Sequence, residues 1–328
     1  ARRELLARRL EEAGTEPAAD GGGRARQDAT THPLSFAQER LWFLDQLEPG
    51  NTAYTIARAL RLKGVLDRQA LEYAIGEIVR RHEILRTEFP CVDDRPVQQV
   101  LAPVKIAAPH VDLGALPVRR RRLETSRVLS EAAGARFDLG RAPLFKARLI
   151  RTRKAEHVLL FVAHQMVCDG WSMNLLLREW ALLYRSFITD KAPCLPELKT
   201  QYGAYAARQR RQFTTPAVQA QLRYWRGRLQ NSSAGVSLVT DHPRPPVQSY
   251  RGSRLPLTVP PMLVCRLRQL ARERRATLFM VLMAAFKALL WRYTSQRDIS
   301  IGFPVANRNG RDAENLIGLF VNTLVLRT

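Results

Sequence analysis

A histidine and a glutamine follow an apolar run and stand just before an Asp-Gly pair. Residues 158–163 read VLLFVA, and His164, Gln165, Met-Val-Cys, Asp169 and Gly170 come next. Imidazole exchanges a proton near neutral pH, whereas the glutamine amide donates and accepts hydrogen bonds but takes up no proton there. Polar residues at the end of a strand, just before a helix begins, are typical of an active site.

Two interpretations of this pattern remain open at the level of residue types. The backbone N–H groups of Gly170 and Trp171 would point outward at the start of the next helix, where they suit a developing oxyanion. Ser172 is of a type that caps such a helix. In the alternative, His164 is a buried histidine bonded to the backbone and Asp169 is an ordinary turn residue.

Helical and strand patterns alternate along the chain and predict the α/β class. In the first part they predict helices near 35–46 and 67–82, a strand near 54–62, and an antiparallel hairpin of strands 144–150 and 158–163. The proline-rich segment after residue 191 indicates a second part. There we expect helices at 201–213, 217–230, 261–275 and 278–293, and strands at 255–259, 299–303 and 321–327.

Length and composition exclude several classes of protein. The 328 residues predict about two domains, and the 46% hydrophobic content is typical of a globular protein. The 52 basic and 30 acidic residues give a net charge of +22, but the arginines are scattered, so we expect no nucleic-acid partner. No apolar run approaches the ~20 residues of a membrane span. The first residues lack the apolar centre of a secretory signal, which predicts the cytoplasm.

Motifs for metal and nucleotide binding are incomplete. His82 and Glu83 begin H-E, but no second histidine follows at the metalloprotease spacing. The glycines near 302 and 310 are not followed by GK[ST]. We therefore expect neither a metal nor a bound cofactor.

Seven segments occur in a specific order. They are PLSFAQERLWFLDQLEPGNTAY (33–54), RHEILRTEF (81–89), FDLGRAPLFKARL (137–149), HQMVCDGWS (164–172), YWRGRL (224–229), RDISIGFPVANR (297–308) and IGLFVNTLVLR (317–327). In this order the chain resembles the condensation domains of nonribosomal peptide synthetases from residue 33 to its end. One such segment is weak evidence, whereas seven in order are highly specific.

The resemblance implies a fold and a division of the chain. It implies two α/β subdomains like chloramphenicol acetyltransferase, arranged as a V around a substrate tunnel. We expect a linker helix from an upstream carrier domain at 1–14, a flexible linker at 15–32, an N-terminal subdomain at 33–190 and a C-terminal subdomain at 191–328. Because the sequence stops inside an apolar segment, we expect that second subdomain to be truncated.

The resemblance also implies a reaction and partners. Phosphopantetheine arms bring a donor acyl or peptidyl thioester and an acceptor aminoacyl thioester, and the acceptor amine attacks the donor carbonyl to form an amide. The implied partners are the upstream donor and downstream acceptor peptidyl carrier domains and an adjacent adenylation domain. The domain itself binds no cofactor, since the arms belong to the carrier domains.

Position 165 departs from the family pattern. The family motif is HHxxxDG, and this chain has HQMVCDG, so the candidate catalytic residues are His164, Gln165, Asp169 and Gly170. The second histidine is the one credited in the family with orienting or deprotonating the amine, and Gln165 is unable to act as that base. Three interpretations follow: a substitution that silences an active domain, a natural domain that has become a docking platform, or a natural variant in which Gln165 positions the amine. The intact remaining motifs favour the first.

The resemblance assigns supporting roles to the other motif residues. Asp169 is expected to form an ion pair with Arg308, which would tie the catalytic loop to the second subdomain. Gly170 is expected to permit close approach of the pantetheine arm, while Trp171 and Ser172 support the site, Trp171 as a core residue. The competing function is a non-catalytic module that docks carrier domains and recruits another enzyme. A free-standing acyltransferase of the same superfamily is disfavoured by the linker helix.

Overall fold

The computed structural model describes residues 30–328 except 104, 233, 234, 244, 246–251, 254 and 309. The linker helix predicted at 1–14 lies outside the described residues, as does most of the linker predicted at 15–32. The last residues of that predicted linker, from Thr30 on, belong to a strand. Both helices and strands occur in each half of the chain, which confirms the α/β class.

The strands are named in chain order. They are β1 (Thr30–Pro33), β2 (Thr55–Lys63), β3 (Thr87–Glu88), β4 (Cys91–Val92), β5 (Arg95–Val100), β6 (His110–Asp112), β7 (Phe145–Arg153), β8 (Glu156–His164), β9 (Ser300–Val305) and β10 (Asn322–Arg327). The helices are α1 (Phe36–Leu47), α2 (Arg68–Arg81), α3 (Val118–Ala133), α4 (Gly170–Thr189), α5 (Tyr202–Phe213), α6 (Pro216–Leu229), α7 (Pro261–Glu273), α8 (Leu278–Thr294) and α9 (Arg311–Glu314).

The sheet that carries the motif has the order β2-β8-β7-β6. Strands β7 and β8 form the expected antiparallel hairpin, β2 pairs antiparallel with β8, and β6 pairs parallel with β7. Successive side chains of a strand point to opposite faces. Phe161 contacts Trp180 of α4 on one face, whereas Ile150 packs with Val128 of α3 on the other. The sheet therefore lies between helices, and β8 ends at His164 between them.

The first helix braces the turn that follows β8. Ser35 caps α1 and forms a capping box with Gln38, the arrangement expected of polar residues ahead of an apolar helix. The buried Gln38 side chain donates to the carbonyl of Met166 at 3.1 Å and to Gln98 at 3.3 Å. Gln98 in turn donates to the carbonyl of Pro33. The second sheet, β1-β5-β3, is thus joined to the candidate site through two glutamines.

A buried polar network joins α2 to α4. His82 Nε2 lies 2.8 Å from Glu179 Oε2, and Arg81 donates to the same oxygen at 3.2 Å. Burial lowers the pKa of His82, which works against a charged imidazole there. These contacts match a structural role for the RHE segment rather than a role in chemistry.

The second half adds a strand pair and contributes one segment to the first-half core. Strands β9 and β10 pair antiparallel, close to the predicted bounds. Between α9 and β10, four large side chains of residues 316–320 are buried in the main core. The strand predicted at 255–259 is wrong, because residues 255–260 are irregular. Pro256 and Pro260 offer no N–H for a ladder, and Leu255 is 94% exposed.

Within the described residues no single helix is long and apolar enough to cross a bilayer. Helices α7 and α8 reach the required length and composition only as a pair, and that pair is bent by 104°.

Candidate functional site

The site is built where β8 ends and α4 begins. The His164 N–H donates to the carbonyl of Leu144, the residue just before β7, and the Gln165 N–H donates to the carbonyl of Tyr54. A turn of three residues then leads to Asp169, the N-cap of α4. The structure thus places His164, Gln165, Asp169 and Gly170 on one short connection, as the sequence predicts.

His164 is a buried, neutral histidine. Its Nδ1 accepts from the N–H of Met166 at 3.3 Å, so the ring proton resides on Nε2. Burial lowers the pKa of His164 to about 4, because no charged partner offsets the loss of hydration. Its ring also meets Phe137 edge-on, with the ring centres 6.1 Å apart. The structure therefore places His164 as a backbone-bonded core histidine, and this group is not a base at neutral pH.

Gln165 is half-buried and occupies the turn directly after the strand. Its side chain offers an amide oxygen and two N–H donors. With His164 neutral and its Nδ1 already occupied, the two residues hold no side chain that takes up a proton near pH 7. The arrangement can hold a substrate amine by hydrogen bonds, but it cannot act as a general base.

Asp169 is the most connected residue of the site. One carboxylate oxygen, Oδ1, accepts from the N–H of Ser172 at 2.8 Å and from Arg308 at 3.1 Å. The other, Oδ2, accepts from the backbone N–H groups of Phe320 and Val321 at 3.0 and 3.2 Å. Both partners of the Asp169–Arg308 ion pair have side chains that are 2% exposed. The expected pair is therefore present, and Asp169 is placed for structure rather than for proton transfer.

Arg308 connects the Asp169 carboxylate to several residues in the second half of the chain. Its guanidinium donates to the carbonyls of Ala313 and Leu316, both at 2.6 Å, and to Ser172 Oγ at 2.7 Å. Its charged group also lies 4.0 Å from the centre of the Phe320 ring. Burial lowers the pKa of Arg308, and the charge of Asp169 opposes that shift.

Ser172 supports the site, but not as a helix cap. Asp169 takes the cap position, and the Ser172 hydroxyl bonds to both the N–H and the carbonyl of Gly318, at 3.0 and 2.8 Å. The expectation of a serine cap is wrong because the helix already begins at Gly170, and Asp169 caps it by accepting from the N–H of Ser172. Trp171 is also not a core residue. It is 49% exposed, since it lies in the first turn of α4 and donates its indole N–H to the carbonyl of Glu314.

The start of α4 leaves two backbone donors open. No group among the described residues accepts from the N–H of Gly170 or Trp171, which are the first two of the helix. A Cβ added at Gly170 would meet no protein atom within 4 Å. The protein atoms around Gly170 therefore leave room for a side chain there.

Sequence reasoning did not single out Gly318, Tyr202 or Phe320. A Cβ added at Gly318 would lie 2.0 Å from the Tyr202 ring, so these two residues approach as closely as glycine permits. The Tyr202 hydroxyl donates to the carbonyl of Leu319 at 2.6 Å and meets Ser35 Oγ at 2.9 Å. The only signal for this contact was the segment IGLFVNTLVLR itself, which contains Gly318 and Phe320.

Comparison with known proteins places this geometry in context. The family model of the condensation domain matches residues 28–328. One of the subunits of linear gramicidin synthase from Brevibacillus parabrevis is 43% identical over 90% of this chain and 6% of its own length. Phosphinothricin tripeptide synthetase PhsB of Streptomyces viridochromogenes is 41% identical over 95% of this chain and 26% of its own length.

Solved structures agree on the fold. The first condensation domain of the CDA synthetase superimposes with a TM-score of 0.74 at 24% identity, covering 91% of this chain and 70% of that one. The X-domain from teicoplanin biosynthesis gives a TM-score of 0.81 at 27% identity, covering 95% and 68%. The X-domain has also been solved in complex with OxyB, with a TM-score of 0.79 at 28% identity, covering 96% and 68%.

Proposed function

Since the chain belongs to the condensation-domain family, we propose that it joins an acyl or peptidyl thioester to the amine of an aminoacyl thioester, both carried by phosphopantetheine arms. The upstream and downstream peptidyl carrier domains and an adjacent adenylation domain are its proposed partners. This assignment rests on the matches to synthetase subunits, of which the chain spans only a small part. The V arrangement of two subdomains and the cytoplasmic location remain proposals.

One observation carries the proposal for the site itself. Asp169 and Arg308 tie the start of α4 to the segment 316–321 through hydrogen bonds. The reacting groups would therefore meet on a rigid platform. The amine nitrogen forms a bond to the donor carbonyl carbon, the carbon–sulfur bond breaks, the thiolate leaves, and the amine proton passes to solvent.

Within this scheme each motif residue has a distinct task. The open N–H groups of Gly170 and Trp171 can donate to the carbonyl oxygen as negative charge develops, aided by the helix dipole. Gln165 can accept from the amine and hold it, but an α-amine with a pKa of roughly 8 must then react in its own neutral fraction. Loss of a general base costs about 10²- to 10⁴-fold in rate, so we propose an impaired or silenced condensation domain.

The proposal is tested on loaded carrier domains. Donor and acceptor carriers are charged with their acyl groups, and dipeptidyl thioester is followed by intact-protein mass spectrometry for this chain and for Gln165→His. Product from the histidine form at a much higher rate supports a condensation domain whose base is missing. If neither form makes product while both bind the carriers, the amide-forming assignment is wrong.

A second function is favoured by two specific observations. Gln165 and the neutral His164 leave the motif without a base, and a structurally similar X-domain has been solved in complex with OxyB. The same fold could therefore serve as a docking module that recruits another enzyme to a carrier-bound intermediate. Retained carrier binding by both forms, without turnover by either, is the outcome that distinguishes this function.

A further inference from the structure

A cavity of about 430 Å³ lies beside the motif and plays no part in the reaction described above. It is bounded by the C-terminal end of α3, the segment before β6 and the strands β7 and β8. Its apolar wall includes Ile106, Ala132 and Val162. Val162 precedes His164 by two residues on β8, so both side chains lie on the same face, roughly 7 Å apart along the strand.

The charges around this cavity are unbalanced. Three cationic side chains line it, those of Lys105, Lys146 and Arg148, against one acidic residue, Glu131. Glu131 already forms an ion pair with Arg127 at 2.5 Å. None of the three cations has an ion-pair partner among the residues that the structure describes. An apolar recess edged by uncompensated positive charge attracts an anion that carries an apolar stem.

The cavity is also joined to the motif by an aromatic contact. The Lys146 ammonium lies 4.7 Å from the centre of the Phe137 ring, and that ring meets His164 edge-on. A carboxylate bound at Lys146 would therefore lie one ring away from the buried imidazole. A single ring, that of Phe137, thus separates the Lys146 ammonium from the end of β8.

We propose that this cavity binds a small carboxylate with an apolar stem, the carboxylate at Lys105, Lys146 and Arg148 and the stem against Ile106 and Val162. This site goes beyond the amide-forming function, and binding to it does not require that reaction. The same chemistry has two sources: a free aliphatic acid, or the far end of an acyl group whose thioester end is delivered on a carrier arm.

Binding is tested with hexanoate on the whole chain, with methyl NMR signals of Ile106 and Val162 as the local readout and those of the 97% exposed Val65 as the reference. Hexanamide is the neutral probe of equal shape. We expect saturable shifts at Ile106 and Val162 with hexanoate, weakened by salt, and much weaker shifts with hexanamide. Equal binding of the two probes, or no saturable shift with hexanoate, would overturn the proposal.

Matched variants separate this cavity from the general positive field. Lys146→Met and Arg148→Met should each weaken hexanoate binding about two- to fivefold, the range for a partly exposed ion pair. Lys154→Met removes an exposed lysine of the β7–β8 turn that does not line the cavity and should leave the affinity unchanged. An equal loss in all three variants would refute a local site.

A filled cavity and a tethered probe complete the test. Ala107→Phe keeps every charge but occupies the space, so it should abolish the hexanoate shifts at Ile106, and undiminished binding in this variant would contradict the assigned pocket. Adipoyl-pantetheine carries a free carboxylate that hexanoyl-pantetheine lacks. Tighter binding of adipoyl-pantetheine than of hexanoate identifies the arm-delivered source, whereas the reverse order identifies a free acid.

Discussion

Replacing Asp169 by asparagine should be among the most costly single changes in this chain. The substitution keeps the shape but removes the charge that faces Arg308, and the arginine side chain is only 2% exposed. Breaking one side of a buried ion pair costs about 3–5 kcal/mol, because the remaining charge is left without a partner. The introduced amide would also turn an N–H₂ group toward donors that the carboxylate now satisfies. That loss is a large share of the ~5–15 kcal/mol that stabilises a typical domain.

The double variant shows whether the pair, rather than either residue, is responsible. Arg308→Met removes the cation and leaves Asp169 with its three backbone or cap donors, so this single change should also destabilise. In Asp169→Asn/Arg308→Met no buried charge remains unpaired. The free energy of unfolding of the double variant should therefore lie well above the value expected from adding the two single losses.

Chemical denaturation with urea, followed by circular dichroism, measures these free energies. The matched control is Arg151→Met, which breaks an Asp–Arg pair of the same type whose side chains are 41% and 43% exposed. We expect a far smaller change in that control, since solvent screens an exposed pair. Losses for Asp169→Asn no larger than for Arg151→Met, or strictly additive losses in the double variant, would show that the buried ion pair does not stabilise this region.

Three further changes probe the same region. Ser172→Ala should lower the free energy of unfolding by about 1–3 kcal/mol in urea, because the N–H of Gly318 loses its buried acceptor and the Arg308 guanidinium loses one of its acceptors. Folding lowers the pKa of His164 from 6.5 to about 4, so the unfolded chain takes up a proton at a higher pH than the folded chain does. The free energy of unfolding should therefore fall by up to about 3 kcal/mol as the pH drops from 6.5 to 4. In His164→Asn the urea midpoint should fall less steeply across that range. Gly170→Ala should leave the melting temperature unchanged, because a Cβ there meets no protein atom within 4 Å. In the Gln165→His background the same change should slow dipeptidyl transfer. A lowered melting temperature would show instead that the fold needs this glycine.

Local patterns predicted the elements around the site well. The hairpin of β7 and β8, the helices α1, α2 and α5 to α8, and the strands β9 and β10 follow from periodicity and turn residues. The short strands β1, β3 and β4 escaped because two to four residues give no alternation to read. The strand expected at 255–259 failed because Pro256 and Pro260 outweigh the β-branched residues between them.

For the site as well, distance along the sequence determined which contacts could be predicted. His164, Gln165, Asp169 and Gly170 lie close in sequence, so their common location could be predicted from it. The contact with Arg308 spans 139 residues and came only from the resemblance. Gly318 and Tyr202 were missed because their close approach depends on how two distant segments pack, which neither segment encodes alone.

The role of position 165 is measured by the rate of dipeptidyl thioester formation on loaded carrier domains, for this chain and for Gln165→His. We expect the histidine form to be faster by about 10²- to 10⁴-fold, since a base is restored on an otherwise intact platform. Equal rates in the two forms, with both proteins folded and carrier-bound, would contradict the claim that position 165 limits the chemistry.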